Sequence, residues 1–495
     1  MTAPRCRRVV VVGRDAALWL SANVIHAALG PSGVEVIAIE LPSRLTAADV
    51  CASLPPLEAL HNQLRIDEAA LLRTIGGAFT LGQNFTDAAR TDAPFLHAYG
   101  GYGTATDGRD FFPYWLKARA LGLPVGLEDF SLTAAAARQG RLLIPDDATE
   151  KYARSDYGYH LPAAAYVRTL KGLAVADGVA IHRADTIEII GGDAGIASVA
   201  CDGLGIAGDL FVDATGEGLL IDALGGTRQS WRETFPGDRL LVGSAPPFAS
   251  IPAYAEIRSH AQGWTGLYPS QARTYVVQVY ASSLCSEEEA CRAAAATSGL
   301  PLTDVSVRPL DPGMRPEAWR ANVVAVGDAA AAFDPAHSVD LLAVQSGLIQ
   351  LLAFFPAASD FSAERAEYNR LMRSTYARLR DFQALHYCIN GYGGAFWALA
   401  RQGETSPDLA HRIALFGARG EIAPYENESF APDSWRAFFV GHGVMPDSHL
   451  PVIDRTPLET IKTQFRHMLG FVKEQVLRQP IHDAYLATIA RRGHG

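Results

Sequence analysis

The sequence predicts an α/β fold that begins with a dinucleotide-binding βαβ unit, continues into a β-sheet region and ends in a helical C-terminal part. The β-branched run Val9–Val12 is of the kind that fills a buried parallel strand. A turn and a helical pattern over Leu18–Leu29 follow, and a second strand, Val34–Ile39, ends at Glu40. Strand, turn, helix and strand with a terminal acidic residue is the outline of a dinucleotide-binding unit.

Short β patterns, separated by turns that contain Gly and Pro, fill the middle of the chain. We expect Ile181–Val199 and Tyr275–Val279 to form strands of a sheet that covers a ligand. Leu210–Gly216 indicates a buried strand that runs into a tight turn, and Val323–Ala330 has a similar pattern. These segments, distant in the chain, are predicted to complete the same dinucleotide-binding unit as the first strand.

The predicted domains are therefore discontinuous. From about residue 340 onward the pattern is mostly helical, with long amphipathic stretches at 364–386 and 457–477. We expect a dinucleotide-binding domain within residues 1–350, an inserted substrate-region sheet, and a helical C-terminal region that completes a substrate pocket. The domain is assigned to about 1–90, 150–220 and 320–350, the insert to about 91–149 and 221–319, and the helical region to 351–495.

Composition and charge exclude several classes of protein. The 495 residues are 48% hydrophobic and 19% charged, which is typical of a globular chain with a large core. The formal net charge of -10 argues against nucleic-acid binding. The six cysteines have no metal-ligand or disulfide spacing, and no apolar run is long enough for a signal peptide or a membrane span. We expect a cytoplasmic protein with no metal site.

Longer motifs carry a resemblance to a known family. Asp213-Ala214-Thr215-Gly216 and Gly327-Asp328 are similar to motifs of flavoprotein monooxygenases with a GR2-type dinucleotide-binding fold. Other stretches resemble, in order and spacing, the flavin-dependent tryptophan halogenases. They are Ala78–Gly82, Phe112–Leu116, Leu127–Leu132, Tyr159-His160 with Ala163, Asp334-Pro335 with Ser338, Gln345–Leu348, Glu367–Arg370, and Asp381-Phe382 with His386-Tyr387.

The resemblance implies a set of cofactors and partners. The family uses reduced FAD, oxygen and chloride or bromide, and it receives reduced flavin from a separate reductase. It implies an indole-like aromatic substrate, free or within a peptide, and a homodimer or pairing with a paralogue. The positions that the resemblance assigns to cofactor binding are Gly13, Asp15, Ala16, Glu40, Ser53, Gly216, Asp328, Pro335, Ser338 and Val339.

This chain departs from the family where FAD is held. The family's phosphate loop has three glycines, but only Gly13 remains, and the loop continues Arg14-Asp15-Ala16-Ala17-Leu18. Asp15 places a carboxylate where a phosphate is expected, and Leu18 adds bulk where a helix and a strand pack closely. Glu40 is placed either to bind a ribose hydroxyl or to lie on the surface. The flavin-covering segment 50–56 has lost its glycines, so positive φ angles are costly there.

The chain also departs where the family's chemistry takes place. Thr80 stands at the position of the lysine that presents electrophilic chlorine in the family, and a hydroxyl cannot form a chloramine. His337 stands at the position of the catalytic Glu, where it is either a base or a structural residue. Trp264 of the family's tunnel motif remains, but Gly266 replaces the second Trp.

Two hypotheses remain open from the sequence. The first is an active flavin-dependent enzyme, either a halogenase of an indole or Trp-containing substrate or an altered oxidoreductase. The second is a non-catalytic family member that acts as a binding protein or as the partner of an active paralogue. The joint loss of the loop glycines, the Lys and the second Trp favours a protein that is not a standard halogenase.

Overall fold

A computed structural model describes residues 6–88, 93–192, 195–358 and 360–491. The strands, in chain order, are β1 Arg8–Gly13, β2 Glu35–Glu40, β3 Val50–Ala52, β4 Ala78–Thr80, β5 Gly82–Asp87, β6 Phe95–Ala98, β7 Gly158–Pro162, β8 Ala180–Arg183, β9 Glu188–Gly192, β10 Gly195–Cys201, β11 Leu204–Ala207, β12 Leu210–Ala214, β13 Gln229–Ser230, β14 Arg239–Ala245, β15 Ala255–His260, β16 Gly263–Pro269, β17 Thr274–Tyr280, β18 Thr303–Pro309, β19 Gly313–Met314, β20 Trp319–Arg320, β21 Val323–Ala325 and β22 Ala331–Ala332.

The α-helices are distributed through the chain and dominate its last third. They are α1 Asp15–Leu29, α2 Pro56–Gln63, α3 Glu68–Ile75, α4 Phe111–Ala120, α5 Leu132–Arg138, α6 Asp147–Tyr152, α7 Ala163–Ala176, α8 Leu219–Ala223, α9 Glu287–Ser298, α10 Asp340–Ala353, α11 Ser362–Ile389, α12 Ala395–Arg401, α13 Pro407–Arg419, α14 Pro432–Gly441, α15 Leu458–Arg478 and α16 His482–Arg491. Within the described ranges, no helix is both long enough and apolar enough to cross a membrane.

The chain divides into two compact units, each made of three segments. Unit 1 comprises Met1–Leu71, Leu161–Glu233 and Leu310–Arg380. Unit 2 comprises Leu72–His160, Thr234–Pro309 and Asp381–Gly495.

Unit 1 contains the predicted βαβ unit. Its main sheet has the strand order β20-β21-β12-β1-β2-β8, and the strands from β21 to β8 run parallel. The residues Val9–Val12 of β1 are fully buried, as expected of a central parallel strand. Helix α1 packs against α7 and α10 and returns the chain to β2. The prediction of strand, helix and strand at the start of the chain is confirmed.

The last residue of β1, Gly13, is a glycine because no side chain fits there. A Cβ atom at Gly13 would lie 2.3 Å from the carbonyl oxygen of Ala214, at the end of the neighbouring strand β12. The glycine is therefore required by the close approach of two strands, whatever ligand the loop binds or lacks.

Unit 2 contains a second, mostly antiparallel sheet with the strand order β18-β14-β17-β16-β15-β5-β6. Only the β15–β5 pair in this sheet is parallel among the described pairings. Every residue of β16 and β17 is buried. Helix α9 packs against β16 and β17, and helix α14 packs against β6 at the edge of the sheet.

One prediction about the middle of the chain is wrong. Ile181–Val199 and Tyr275–Val279 do not share a sheet. Ala180–Arg183 pairs with β2 in unit 1, and the strands that follow form a small antiparallel sheet β9-β10-β11. Tyr275–Val279 lies within β17 of unit 2. Strand propensity located the strands, but pairing depends on partners distant in the sequence.

Candidate functional site

The turn between β1 and α1 is held by an aspartate in a conformation that favours glycine. Asp15 has a φ angle of 56°, in the left-handed region that side chains other than Asn and Asp rarely adopt. Its carboxylate accepts hydrogen bonds from the Ser43 hydroxyl, at 2.5 Å, and from the Arg44 backbone N–H, at 3.2 Å. These bonds connect the start of α1 to the segment that follows β2.

Two ion pairs extend this connection to the turn after β12. The guanidinium of Arg14 lies 3.2 Å from the Glu217 carboxylate, and the guanidinium of Arg44 contacts the same carboxylate oxygen. We call Arg14, Asp15, Arg44 and Glu217 the charged ring. Burial lowers the pKa of Arg14, and the neighbouring carboxylates of Asp15 and Asp213 oppose that shift. The ring joins three turns of unit 1 through groups supplied by the chain itself.

Glu40, at the end of β2, is also engaged. Its carboxylate accepts two hydrogen bonds from the Lys171 ammonium, at 2.7 and 2.5 Å, and one from Arg183 at 3.1 Å. The Lys171 ammonium also lies 5.4 Å from the centre of the Trp19 ring, within cation–π range. A ribose hydroxyl would have to compete with both cations for this carboxylate.

The turn that carries Gly216 is organised by a buried aspartate. Asp213 is fully buried, and its carboxylate accepts hydrogen bonds from Thr215, through both its N–H and its hydroxyl, and from the N–H groups of Leu220 and Ile221. Burial raises the pKa of Asp213, while these bonds oppose the rise. Gly216 has a φ of 85°, which explains why glycine stands there. The retained motif thus has a structural cause within unit 1.

The remaining predicted cofactor residues of unit 1 differ in their burial. Ser53, Ser338 and Val339 are buried, Ser338 with a φ of 55°, and Asp328 is exposed. Pro335 begins a short 3₁₀ turn whose N–H at Ala336 is capped by the Asp334 carboxylate. Ala16 lies in the first turn of α1. The His337 side chain is fully buried.

In this arrangement the side chains of unit 1 do not fit the diphosphate and ribose of FAD. A diphosphate at the start of α1 would meet the carboxylates of Asp15 and Glu217, and the cations beside them, Arg14 and Arg44, are already paired with Glu217. The carboxylate expected to bind ribose is already paired with two cations. What the backbone retains is the left-handed turn at residue 15 and the glycine turns at 216 and 327.

Thr80 lies in unit 2, in a buried strand. Its side chain is 1% exposed, and its hydroxyl donates a hydrogen bond of 2.9 Å to the Gly82 carbonyl. The hydroxyl is therefore bound to the backbone of its own strand connection, and it cannot supply the ammonium that the resemblance requires at this position.

Lys117 does not replace the missing lysine. Its ammonium donates to three backbone carbonyls, those of Ile453 at 3.1 Å, Asp454 at 3.2 Å and Thr456 at 2.7 Å. This side chain fastens α4 to the segment before α15, which is a structural role.

Trp264 is fully buried in β16, and its indole N–H donates to the Tyr387 hydroxyl at 3.0 Å. At Gly266, where the family has its second Trp, a Cβ atom would lie 2.7 Å from the ring of Tyr268. The Tyr268 ring therefore occupies the space beside this glycine. Trp264 is therefore held within the sheet by packing and a hydrogen bond, and the Tyr268 ring lies beside the small residue at position 266.

Sequence reasoning missed a group of buried histidines in unit 2. His97 on β6 is 1% exposed, and neither ring nitrogen has a hydrogen-bond partner among the described residues. Its ring packs among aromatic rings, with centroids 5.2 to 6.0 Å away; these are Tyr99, Phe382, Phe430 and Phe438. Burial, aided by the charge of Arg154, lowers the pKa of His97 to about 3. The apolar neighbours Phe95, Leu96 and Ala98 were the available signal for its burial.

Unit 1 thus brings together, at the turns after β1, β2 and β12, the predicted residues Asp15 and Gly216 with the unpredicted partners Arg44 and Glu217. Thr80 and Trp264 belong to unit 2, whereas His337 belongs to unit 1. Polar residues directly after strands were the signal that would have indicated Arg44 and Glu217.

The fold and the three turns define a mixed α/β protein with a GR2-type dinucleotide-binding fold, and comparison with known proteins agrees. The profile of the tryptophan halogenase family matches residues 8–458. The chain is 26% identical to tryptophan 6-halogenase SttH of Streptomyces toxytricini, with 98% of each chain covered. Two solved flavin-dependent halogenases are similar in structure, each 28% identical and covering 98% of this chain and 99% of theirs. They are BrvH from Brevundimonas sp. BAL3, with a TM-score of 0.90, and a protein from Xanthomonas campestris, with a TM-score of 0.91. This chain belongs to the tryptophan halogenase family.

Proposed function

We propose that this protein is a tryptophan halogenase family member that does not halogenate, and that it acts as a binding protein for an indole-like aromatic ligand. Thr80 carries the proposal. A halogenase of this family needs an ammonium at that position, and this chain has a buried hydroxyl that is bonded to the Gly82 carbonyl. Lys117 is committed to three carbonyls and offers no substitute.

The cofactor side supports the same proposal. The groups that would meet FAD in unit 1 are two carboxylates and a Glu40 that is already paired. The aromatic character of unit 2 supports a ligand with an aromatic ring, since buried rings and orphan imidazole nitrogens offer stacking and hydrogen-bonding groups. Pairing with a second copy or a paralogue and a place in the cytoplasm are parts of this proposal.

The test supplies everything an active relative needs. The purified protein is incubated with FAD, a flavin reductase, NADH, oxygen, chloride or bromide, and free or peptide-bound tryptophan, with a known tryptophan 6-halogenase as the positive control. We expect no halogenated product by mass spectrometry and saturable binding of an indole ligand by calorimetry. Halogenated product from the unmodified protein would overturn the proposal.

A second candidate is an altered flavin-dependent oxidoreductase. It is favoured by the backbone, because residue 15, where the resemblance expects glycine, has a positive φ that glycine adopts readily. The double change Thr80→Lys with His337→Glu separates the two. Weak halogenation by this variant, with flavin bound, would favour the oxidoreductase, whereas absence of both flavin binding and product supports the binding protein.

A further inference from the structure

We propose that the side chains of the charged ring fill the crevice of unit 1, by which we mean the space at the carboxyl ends of β12, β1 and β2 where this fold can bind a dinucleotide. The carboxylates of Asp15 and Glu217 take the place of a bound diphosphate, and the ring closes the crevice to FAD and to other nucleoside diphosphates. This inference rests on the proposed function, because it explains how a family member can keep the fold without the cofactor.

The ring lies at the edge of the main sheet where folds of this kind bind ligands. Its members follow β1, β2 and β12, three neighbouring parallel strands of the main sheet. In open α/β sheets, ligands bind outside the carboxyl ends of the strands. The bonds from Asp15 to residues 43–44 and from Arg14 and Arg44 to Glu217 run from one of these turns to the next at this edge of the sheet.

The balanced charge of the ring also opposes the binding of a diphosphate. The ring contains two guanidinium groups, which both contact Glu217, and two carboxylates, so its formal charge is zero. Asp15 lies in the first turn of α1 and compensates the positive end of the helix. A diphosphate would therefore find neither a net positive charge nor a free helix end, and it would have to displace two carboxylates from their partners.

The backbone conformation of Asp15 also supports this proposal. Asp15 keeps a φ of 56°, which is costly for a side chain other than Asn or Asp, and its hydrogen bonds to Ser43 and Arg44 hold it there. Glycine or asparagine fits the same backbone without rearrangement. The crevice is thus closed by side chains on a backbone that glycine also adopts, and changes of side chain alone should reopen it.

The experiment neutralises the ring and measures diphosphate binding. In Asp15→Asn with Glu217→Gln, the guanidinium groups of Arg14 and Arg44 lose the Glu217 carboxylate that contacts both, and the negative charge of Asp15 is removed as well. We expect the dissociation constant for ADP, by calorimetry, to fall about tenfold or more, which corresponds to about 1.4 kcal/mol. Inorganic pyrophosphate should show a gain in the same direction, and FAD binding is followed by quenching of flavin fluorescence.

A matched control changes the net charge equally. Glu35 pairs with Arg8 at the opposite end of β1 and β2, and Asp209 accepts hydrogen bonds there from the Arg7 and Arg8 N–H groups. Glu35→Gln with Asp209→Asn therefore adds two positive charges outside the ring, as the double variant adds two within it, and should leave ADP binding unchanged. Asp15→Gly is a second route to an open ring if the double variant does not fold, as judged by circular dichroism. An equal gain in the control would overturn the proposal, because general charge would then explain the result.

The outcomes separate this inference from the proposed function. If the unmodified protein binds ADP and FAD as tightly as the double variant, the ring is not a barrier and the inference is wrong, even when no halogenation is seen. If the double variant gains binding and the unmodified protein forms no halogenated product, both stand. Halogenation by the unmodified protein would overturn both.

Discussion

The ionisable groups in the crevice of unit 1 and the buried histidines of unit 2 differ in charge state. In unit 1, charges are kept and paired: Arg14 and Arg44 with Glu217, and Glu40 with Lys171 and Arg183. In unit 2, buried histidines are kept neutral, because burial lowers the pKa values of His97, His160 and His442 to about 3. The charged residues in the crevice of unit 1 are partly exposed and paired, whereas these three histidines of unit 2 are uncharged because their rings are largely removed from water.

In the proposed function, the two units oppose two kinds of chemistry by two physical routes. An anionic cofactor is opposed in unit 1 by carboxylates that already use the available cations. A reaction that needs an ammonium is opposed in unit 2 by a buried hydroxyl among neutral groups. Pairing compensates the charges in unit 1, and loss of the proton avoids the cost of burying a charged imidazole in unit 2.

The largest effect should come from removing packing in unit 2. Trp264→Ala deletes a fully buried indole from β16, and we expect a loss of about 3–5 kcal/mol of unfolding free energy. Urea unfolding measures it. Tyr387→Phe is the matched control, because it removes only the hydroxyl that accepts the indole hydrogen bond, at a cost of about 1 kcal/mol. Equal losses in the two variants would show that the hydrogen bond, and not the packing, stabilises this strand.

A smaller effect should appear as a dependence on pH. Between its ordinary pKa of 6.5 and the folded value of about 3, His97 binds a proton in the unfolded chain but not in the folded one. Stability is therefore present above pH 6.5 and lost as the pH falls toward 3, and the loss at pH 5 is about 2 kcal/mol for this residue. His97→Phe should remove that part of the acid loss in urea unfolding at neutral and mildly acid pH.

The control for this prediction is His467→Gln, which changes an exposed histidine and should leave the acid loss unchanged. If His97→Phe loses as much stability in acid as the unmodified protein, then His97 is not held neutral, and the contrast between the two units fails at this residue.

The smallest effect should come from the charged ring itself. Arg44 is 61% exposed, so its pair with Glu217 is screened by solvent, and Arg44→Gln should cost less than about 1 kcal/mol of unfolding free energy. The cost should vanish in about 1 M salt, where the Debye length falls to about 3 Å. A larger cost that persists in high salt would mean that the ring is a structural element of unit 1 rather than an exposed set of ion pairs.

Much of the fold was predictable because it depends on local patterns. The buried run at 9–12, the helix that ends at Leu29 and the strand that ends at Glu40 all follow from residue periodicity within a short window. The strand from Leu210 into the Gly216 turn followed from the same reasoning, as did the long helix around residues 364–386. The pairing of 181–199 with 275–279 failed, because sheet partners are chosen by contacts between distant segments.

The residues of the candidate site could be predicted one by one from the sequence, but the contacts between them could not. The carboxylate of Asp15 in the phosphate loop was visible in the sequence, but its contact with residues 43–44 joins positions 28 and 29 apart, and the Arg14–Glu217 pair joins positions 203 apart. Glu40 was left as either a ribose ligand or a surface residue, and its partner Lys171 lies 131 positions away. The catalytic meaning of Thr80 and His337 stays a prediction.

The sequence by itself determined the family, the βαβ start and the identity of the substituted residues, because motifs, periodicity and turn chemistry are local properties of the chain. Only the tertiary structure decided which charges meet in the ring, that Glu40 is already paired, and that His97 is buried and neutral. The physical reason is that the strength of an ion pair and the pKa of a side chain depend on burial and on neighbours, and folding brings those neighbours from distant parts of the chain.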